Sequence, residues 1–229
     1  MRIAADTVFL LDVDNTLLDN DRLINDLMGH LAASLGIACR DRYRAILEQL
    51  RAELGYVDYL GALQRFRLTD MDNPRLIMIS RFLIDYPFAS LLYPNAIEVI
   101  GHLKTLGPTV ILSDGDVVFQ PRKIEVSGLW QAVSGQVLIY VHKEQMLAAV
   151  EQHYPARHYV MVDDKLRILA AMKSIWRDRL TTVFARQGHY ALDPQIAASY
   201  RHADLTIEHI GDLLGQDFSA LIPAIQYAR

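Results

Sequence analysis

Cysteine is nearly absent. Cys39 is the only one in 229 residues, which excludes an internal disulfide framework and fits a reducing compartment. Its surroundings read as helix, with the thiol buried there. Long apolar runs are also missing. No stretch approaches the roughly 20 residues that span a bilayer. The N-terminus does not read as a secretory signal, because Arg2 and Asp6 come early and Asp12 interrupts the first apolar stretch. Neither sign of charge dominates: 23 Lys and Arg against 27 Asp and Glu leave a net charge of -4. That balance gives no electrostatic reason to expect nucleic acid or an anionic membrane as a partner. The eight histidines lack paired ligand spacing, so a zinc site is not expected, and His142 and His158 read as packing or solvated residues. There are no repeats and no low-complexity segments. The expected setting is the cytoplasm, and oligomeric state is not legible.

What is present is ample apolar material. At 52% hydrophobic residues, the chain can bury a real core. Its length suits one α/β domain with a smaller unit inserted or appended. The stretch that organises the rest is Val8-Phe9-Leu10-Leu11-Asp12-Val13-Asp14-Asn15-Thr16. Four consecutive apolar residues read as a strand buried on both faces, as in a parallel sheet. Asp12 and Asp14, two residues apart, leave such a strand on the same side, at its carboxyl end. Open α/β sheets bind ligands at that edge. Two carboxylates there repel each other unless a cation, a proton or a cationic side chain joins them.

Residues 20–88 read as four helices with no intervening strand. Leu23, Leu27, Leu31 and Leu35 form an apolar stripe ended by Gly36. Asp41 reads as the N-cap of a second helix that closes at Gly55. Val57–Phe66 is a third, and Pro74 opens a fourth that Pro87 breaks. This satellite is too coherent to be a loop. Arg40, Arg42 and Arg44 read as a solvated helix face, and Tyr56 and Tyr59 as packing residues with a pocket-lining role as the alternative. From Pro94 onward helix and strand alternate. Strands are expected over 109–112, 136–141, 158–162, 180–185 and 204–207. Helices are expected over 96–106, 117–126, 143–154 and 166–176, with a further helix at the C-terminus. This alternation implies a three-layer, Rossmann-like parallel sheet. The core would comprise 1–19 and 89–229, with 20–88 as the helical unit.

Each strand that ends in polar residues does so on one presumed edge: Asp12 and Asp14, then Ser113, then Asp163 and Asp164. Four carboxylates without a cysteine or histidine cluster suit a hard, oxygen-seeking cation, with Mg²⁺ the natural choice. The ordered set D-x-D-N-T (12–16), S-D-G (113–115), Lys143 and D-D (163–164) resembles the four motifs of the haloacid dehalogenase-like hydrolases. The resemblance extends over nearly the whole chain, and 20–88 resembles the helical cap that many of those enzymes insert between the first two motifs.

The resemblance implies a phosphomonoesterase acting on a small phosphorylated metabolite. In it, Asp12 is the nucleophile that forms an aspartyl-phosphate, and Asp14 is the general acid and base. Ser113, with backbone N–H groups around Asp114, would hold the phosphoryl oxygens. Lys143 would offset the charge of Asp12. Mg²⁺ would be bound by the Asp12 carboxylate, the Asp14 backbone carbonyl and the Asp163/Asp164 pair. Asp163 is the preferred direct ligand with Asp164 behind it, though the reverse order stays open. Two departures stand out: Val162 where glycine often precedes the fourth motif, and Asp114 where asparagine is frequent. Other readings of the same motifs are a phosphomutase, a 2-haloacid dehalogenase and a degenerate binding protein. Asp14 speaks against the dehalogenase, since dehalogenases of this family lack an acid/base aspartate there.

Overall fold

The computed structural model describes residues 6–69 and 73–218. In chain order the elements are β1 (Thr7–Leu11), α1 (Asn20–Leu35), α2 (Ile37–Leu54), α3 (Tyr59–Arg67), α4 (Leu76–Ile84), α5 (Ala96–Leu106) and β2 (Thr109–Asp114). Then come α6 (Phe119–Val126), the short α7 (Leu129–Ala132), β3 (Val137–Tyr140), α8 (Leu147–His153), β4 (His158–Asp163) and α9 (Leu166–Trp176). β5 (Leu180–Ala185), the short α10 (Gly188–Leu192) and α11 (Pro194–Ala198), and β6 (Leu205–Ile207) complete the order.

The six strands form one sheet in the order β3-β2-β1-β4-β5-β6, and every pairing is parallel. This is the three-layer α/β architecture expected from the alternation. Strand pleat divides the core into two layers. Phe9, Leu11, Val160, Val162 and Val183 face the side covered by α5 and α6. Val8, Leu10, Tyr159, Met161 and Phe184 face the side covered by α8 and α9. On α9, Leu166, Leu169, Met172 and Trp176 are all buried, at the three- and four-residue spacing that puts them on one stripe. Burying each such side chain contributes about 1.5–3 kcal/mol.

The order of strands positions the site. Leu11 is in register with Ile111 on one side and Val162 on the other. The Asp12 N–H still donates to the Val162 carbonyl at 3.0 Å, so Asp12 begins beside the end of β4. The sheet's direction of progression reverses between β1 and β4, which is where open α/β sheets form their crevice.

The helices α1 to α4 lie between β1 and the rest of the sheet in sequence. Their buried stripe, Leu23, Leu27 and Leu31 with Tyr43 and Phe66, belongs to the same apolar cluster as Phe9, Leu11 and Val160. Gly55 ends α2 at φ +80°, and a Cβ there would come within 2.6 Å of His142 Cε1. Glycine therefore serves both the left-handed backbone and the close approach of α2 to the loop before Lys143.

Some expectations are corrected. Asp41 is not an N-cap: α2 starts at Ile37, and Gly36 serves both helices. Its N–H bonds the Ala32 carbonyl at 3.0 Å and its own carbonyl accepts from Arg40 N at 3.1 Å. Residues 143–154 are not one helix but a 3₁₀ turn, Lys143–Gln145, followed by α8. The helix expected from Val117 starts at Phe119, with Pro121 in its first turn. Cys39 is half-buried rather than buried. Past β6 the described chain forms a 3₁₀ turn, Ile210–Gly215. Arg2, residues 70–72 of the helical unit and residues 219–229 of the expected C-terminal helix lie outside the described residues. Among those described, no helix is long and apolar enough to cross a membrane.

Candidate active site

The turn after β1 is built from its own sequence. Thr16, Leu17 and Leu18 all direct their N–H groups at the Val13 carbonyl, and Asn15 N donates to Leu18 O at 2.7 Å. Asn15 adopts φ +60°, a conformation asparagine tolerates better than most residues. Its side-chain oxygen accepts from the N–H groups of Asn20 and Asp21 at 3.0 and 3.2 Å. The turn thus runs directly into α1.

Below it lies the floor of the site. Lys143 Nζ donates to Asp12 Oδ1 at 2.5 Å and to the Leu112 carbonyl at 3.2 Å, and it forms an ion pair with Asp163 Oδ2 at 2.7 Å without hydrogen-bond alignment. Burial by itself disfavours its charge. The carboxylates of Asp12 and Asp163 more than reverse that effect and hold the ammonium protonated well above the usual lysine range. Thr16 Oγ1 donates to the other Asp12 oxygen at 3.2 Å. The 3₁₀ turn that presents Lys143 is itself held by Asp114, whose Oδ1 accepts from Lys143 N at 2.8 Å. That bond is what an aspartate does at this position, and burial raises its carboxyl above the usual range. Ser113 is buried at the end of β2, and its hydroxyl oxygen accepts from Gln120 Nε2 at 2.9 Å.

Asp12, Asp163 and Asp164 are all buried, and one oxygen of each lies within 4.8 Å of the others. The last two differ in their partners. Asp163 Oδ2 faces Lys143, and its Oδ1 accepts from Lys165 N at 2.8 Å. Both oxygens of Asp164 are buried without any hydrogen-bond partner. Burial pushes the Asp163 carboxyl up to about 6, against the pull of Lys143. Burial also raises Asp164 well above the carboxylate range, against the pull of Lys165. Buried oxygens of this kind are costly unless something pairs with them. The Asp14 side chain is not part of this cluster.

Asp14 instead sits on the rim, its side chain 26% exposed, with Lys123 Nζ of α6 at 2.6 Å from Oδ1. It lines a cavity of about 530 Å³ together with Asn20, Arg51, Tyr56, Tyr59, Asp114, Gln120, Lys165 and Tyr190. The cavity lies between α1–α3 and the carboxyl edge of the sheet. Tyr59 is almost fully buried, and it shares a hydrogen bond with Asn20 at 3.1 Å. Tyr56 is more open. Tyr190 has Arg51 over its ring at 4.9 Å and Lys165 at 5.5 Å. His189 ties α10 to the start of α1: its N–H and Nδ1 meet the two Asp21 oxygens at 2.7 and 2.6 Å.

Every residue expected at the site comes to this one edge: Asp12, Asp14, Ser113, Asp114, Lys143, Asp163 and Asp164. Motif reading overlooked Lys123, Gln120 and Asn20. A signal for Lys123 was present, since it falls four residues after Phe119 and beside Ile124, on the buried stripe of α6. Arg40, Arg42 and Arg65 stay away from the cavity: Arg40 pairs with Asp41, Arg65 with Glu53, and Arg42 lies over Phe66.

Residues 7–175 match the model of the haloacid dehalogenase-like hydrolase family. A haloacid dehalogenase-like hydrolase from Burkholderia xenovorans LB400 is 62% identical, with a TM-score of 0.90 over 93% of this chain and 100% of that one. The L-2-haloacid dehalogenase of Xanthobacter autotrophicus shares the fold at 17% identity, with a TM-score of 0.61 over 93% and 97% of the two chains. The hydrolase YfnB of Bacillus subtilis, in a magnesium-bound structure, does so at 14% identity and 0.64 over 95% and 99%. No curated protein matches the chain.

Proposed function

The chain belongs to the haloacid dehalogenase-like hydrolases, and from that premise we propose that it is a Mg²⁺-dependent phosphomonoesterase. Its substrate is a small phosphorylated metabolite, and the reaction runs through an aspartyl-phosphate. One observation carries this reading. A second carboxylate, Asp14, lines the cavity beside the buried Asp12. Displacing a halide needs no proton, whereas expelling an alkoxide from a phosphate ester does. A site that supplies an acid next to its nucleophile is suited to the ester.

The residues fit the cation. Asp12 and Asp164 offer buried oxygen donors, and Asp164 has no other partner for either of its oxygens. With the Asp14 backbone carbonyl they would hold Mg²⁺, while Asp163 orients Lys143. When bound, the ion offsets the charge of an anionic nucleophile meeting an anionic phosphate.

The chain's own groups do the rest. Asp12 bonds to phosphorus as the ester P–O bond breaks, and Asp14 gives its proton to the departing oxygen. Water then attacks the aspartyl-phosphate and returns a proton to Asp14, releasing inorganic phosphate and free Asp12. Lys143 stabilises the negative charge gathered around Asp12. Ser113, steadied by Gln120, binds a phosphoryl oxygen. Residues 20–88 act as the cap, and Arg51, Tyr56 and Tyr190 offer cationic and aromatic surfaces to the organic part of the substrate.

The test is direct. The purified protein should release phosphate from an aryl phosphate with Mg²⁺ and stop in excess chelator. It should release no halide from 2-chloropropionate. Metal-independent halide release without phosphate release would overturn the reading in favour of a dehalogenase.

A further inference from the structure

Lys123 is a buried charge for which the mechanism so far has no use. It is 0% exposed, and lysine is almost never fully buried without a purpose-built partner. Its Nζ lies 2.6 Å from Asp14 Oδ1 and 3.1 Å from Asn20 Oδ1, and 5.3 Å from the centre of the Phe119 ring. Asn20 in turn donates from Nδ2 to the Tyr59 hydroxyl at 3.1 Å. The Tyr59 and Phe119 rings are 5.1 Å apart. The ammonium is thus enclosed by α6, the turn after β1 and the first residue of α1.

We infer that Lys123 is the positioning residue for the proton-transfer step: it holds Asp14 by Oδ1, leaves Oδ2 to exchange the proton, and makes this orientation depend on Asn20 and Tyr59 of the helical segment. The inference rests on the phosphomonoesterase reading above. Only the lysine of this pair is buried, whereas Asp14 lines the cavity, so the pair fixes a carboxylate that faces the space a substrate would fill. Among the described residues no other side chain bonds to the Asp14 carboxylate. Without Lys123 that carboxylate would be free to turn about its own side-chain bonds, and proton transfer depends steeply on donor placement. No covalent step is added: the same proton goes from Asp14 Oδ2 to the ester oxygen, and the same oxygen later takes one from water.

The experiment compares Lys123→Met, Lys123→Arg and Asn20→Ala with the parent enzyme. The substrates run from a dinitrophenyl phosphate, with a good leaving group, to an alkyl phosphate, with a poor one. Lys123→Met should lower kcat for the alkyl ester by about 10- to 100-fold, a part of the 10²–10⁴ typical of general acid–base assistance, with KM within about twofold. The loss should shrink towards the best leaving group, and rapid quenching should still trap phosphate on Asp12. Lys123→Arg should restore part of the rate, and Asn20→Ala should show the same trend more weakly. In Lys123→Met combined with Asp14→Asn, the lysine change should cost nothing more. Equal loss for every leaving group, or a change confined to KM, would overturn the role of Lys123.

Asp14→Asn alone separates the two ideas. If it shows no dependence on leaving group, the acid/base reading itself fails. If it does and Lys123→Met does not, only the positioning role falls. Should Lys123→Met not fold, Lys123→Arg and Asn20→Ala carry the same test, and a flat leaving-group profile in both overturns it.

Discussion

Two buried lysines each grip one carboxylate of the same pair, yet they belong to different parts of the molecule. Lys143 joins Asp12 to Asp163 and to the Leu112 carbonyl, so all its partners stand at or next to the ends of β1, β2 and β4. That floor is set by strand register, and none of its members comes from α1 to α4. Lys123 joins Asp14, on the turn after β1, to Asn20, the first residue of α1. The rim is therefore shared between sheet and helical segment. On the phosphomonoesterase reading proposed above, the contrast places the proposed nucleophile's counter-charge on the sheet alone, and the proposed proton donor's partner at a junction of sheet and helical segment.

The largest effect should separate floor from rim. Asp12→Asn replaces the carboxylate proposed as the nucleophile with a neutral amide of nearly the same size. Hydrolysis should fall to background for every leaving group, and no phosphoenzyme should be trapped. Asp14→Asn should instead cost about 10²–10⁴-fold with poor leaving groups while label still accumulates on Asp12. Full activity in Asp12→Asn, or label on another residue, would dissolve the distinction.

A smaller effect divides the floor itself. Asp164→Asn should raise the Mg²⁺ concentration for half-maximal activity by at least about tenfold. Asp163→Asn should shift that requirement less and lower thermal stability, because it takes a buried partner from Lys143. The opposite pattern in a metal titration would make Asp163 the direct ligand, as the sequence reading preferred.

The smallest effect lies far from both regions and serves as their control. His158 is buried at the start of β4, with Nε2 2.9 Å from Thr181 Oγ1, and burial lowers its pKa to about 4. The unfolded chain, with a histidine near 6.5, takes up the proton first as pH falls. Stability is then level above about pH 7 and declines from there towards pH 4. The decline should be about 1–2 kcal/mol by pH 5. His158→Gln should flatten that part of the unfolding profile without altering the leaving-group dependence of catalysis. A profile that keeps its slope would assign the pH effect elsewhere.

Much of the sheet was legible because its signals are local. The bounds of α5, α9 and β5 follow from apolar periodicity and from Gly107 after α5. Misreadings arose where a local signal met a tertiary demand. Asp41 has the chemistry of an N-cap, but Gly36 had already opened α2 by bonding both helices. Residues 143–154 have helical composition, but the Asp114 bond to Lys143 N tightens the first turn.

The sequence by itself determined the floor: apolar strands that end in Asp12, Ser113 and Asp163, and an order of motifs that a parallel sheet brings to one edge. Only the tertiary structure decided the rest. Lys123 reaches Asp14 across 109 positions of chain and His189 reaches Asp21 across 168, and no periodicity encodes such a meeting. Likewise, adjacent aspartates are indistinguishable in a string of letters. Lys143 and Lys165 N engage Asp163, while both oxygens of Asp164 are left without a hydrogen bond. Period and spacing specify which face a residue takes on its own element; which distant group it meets there depends on how those elements pack.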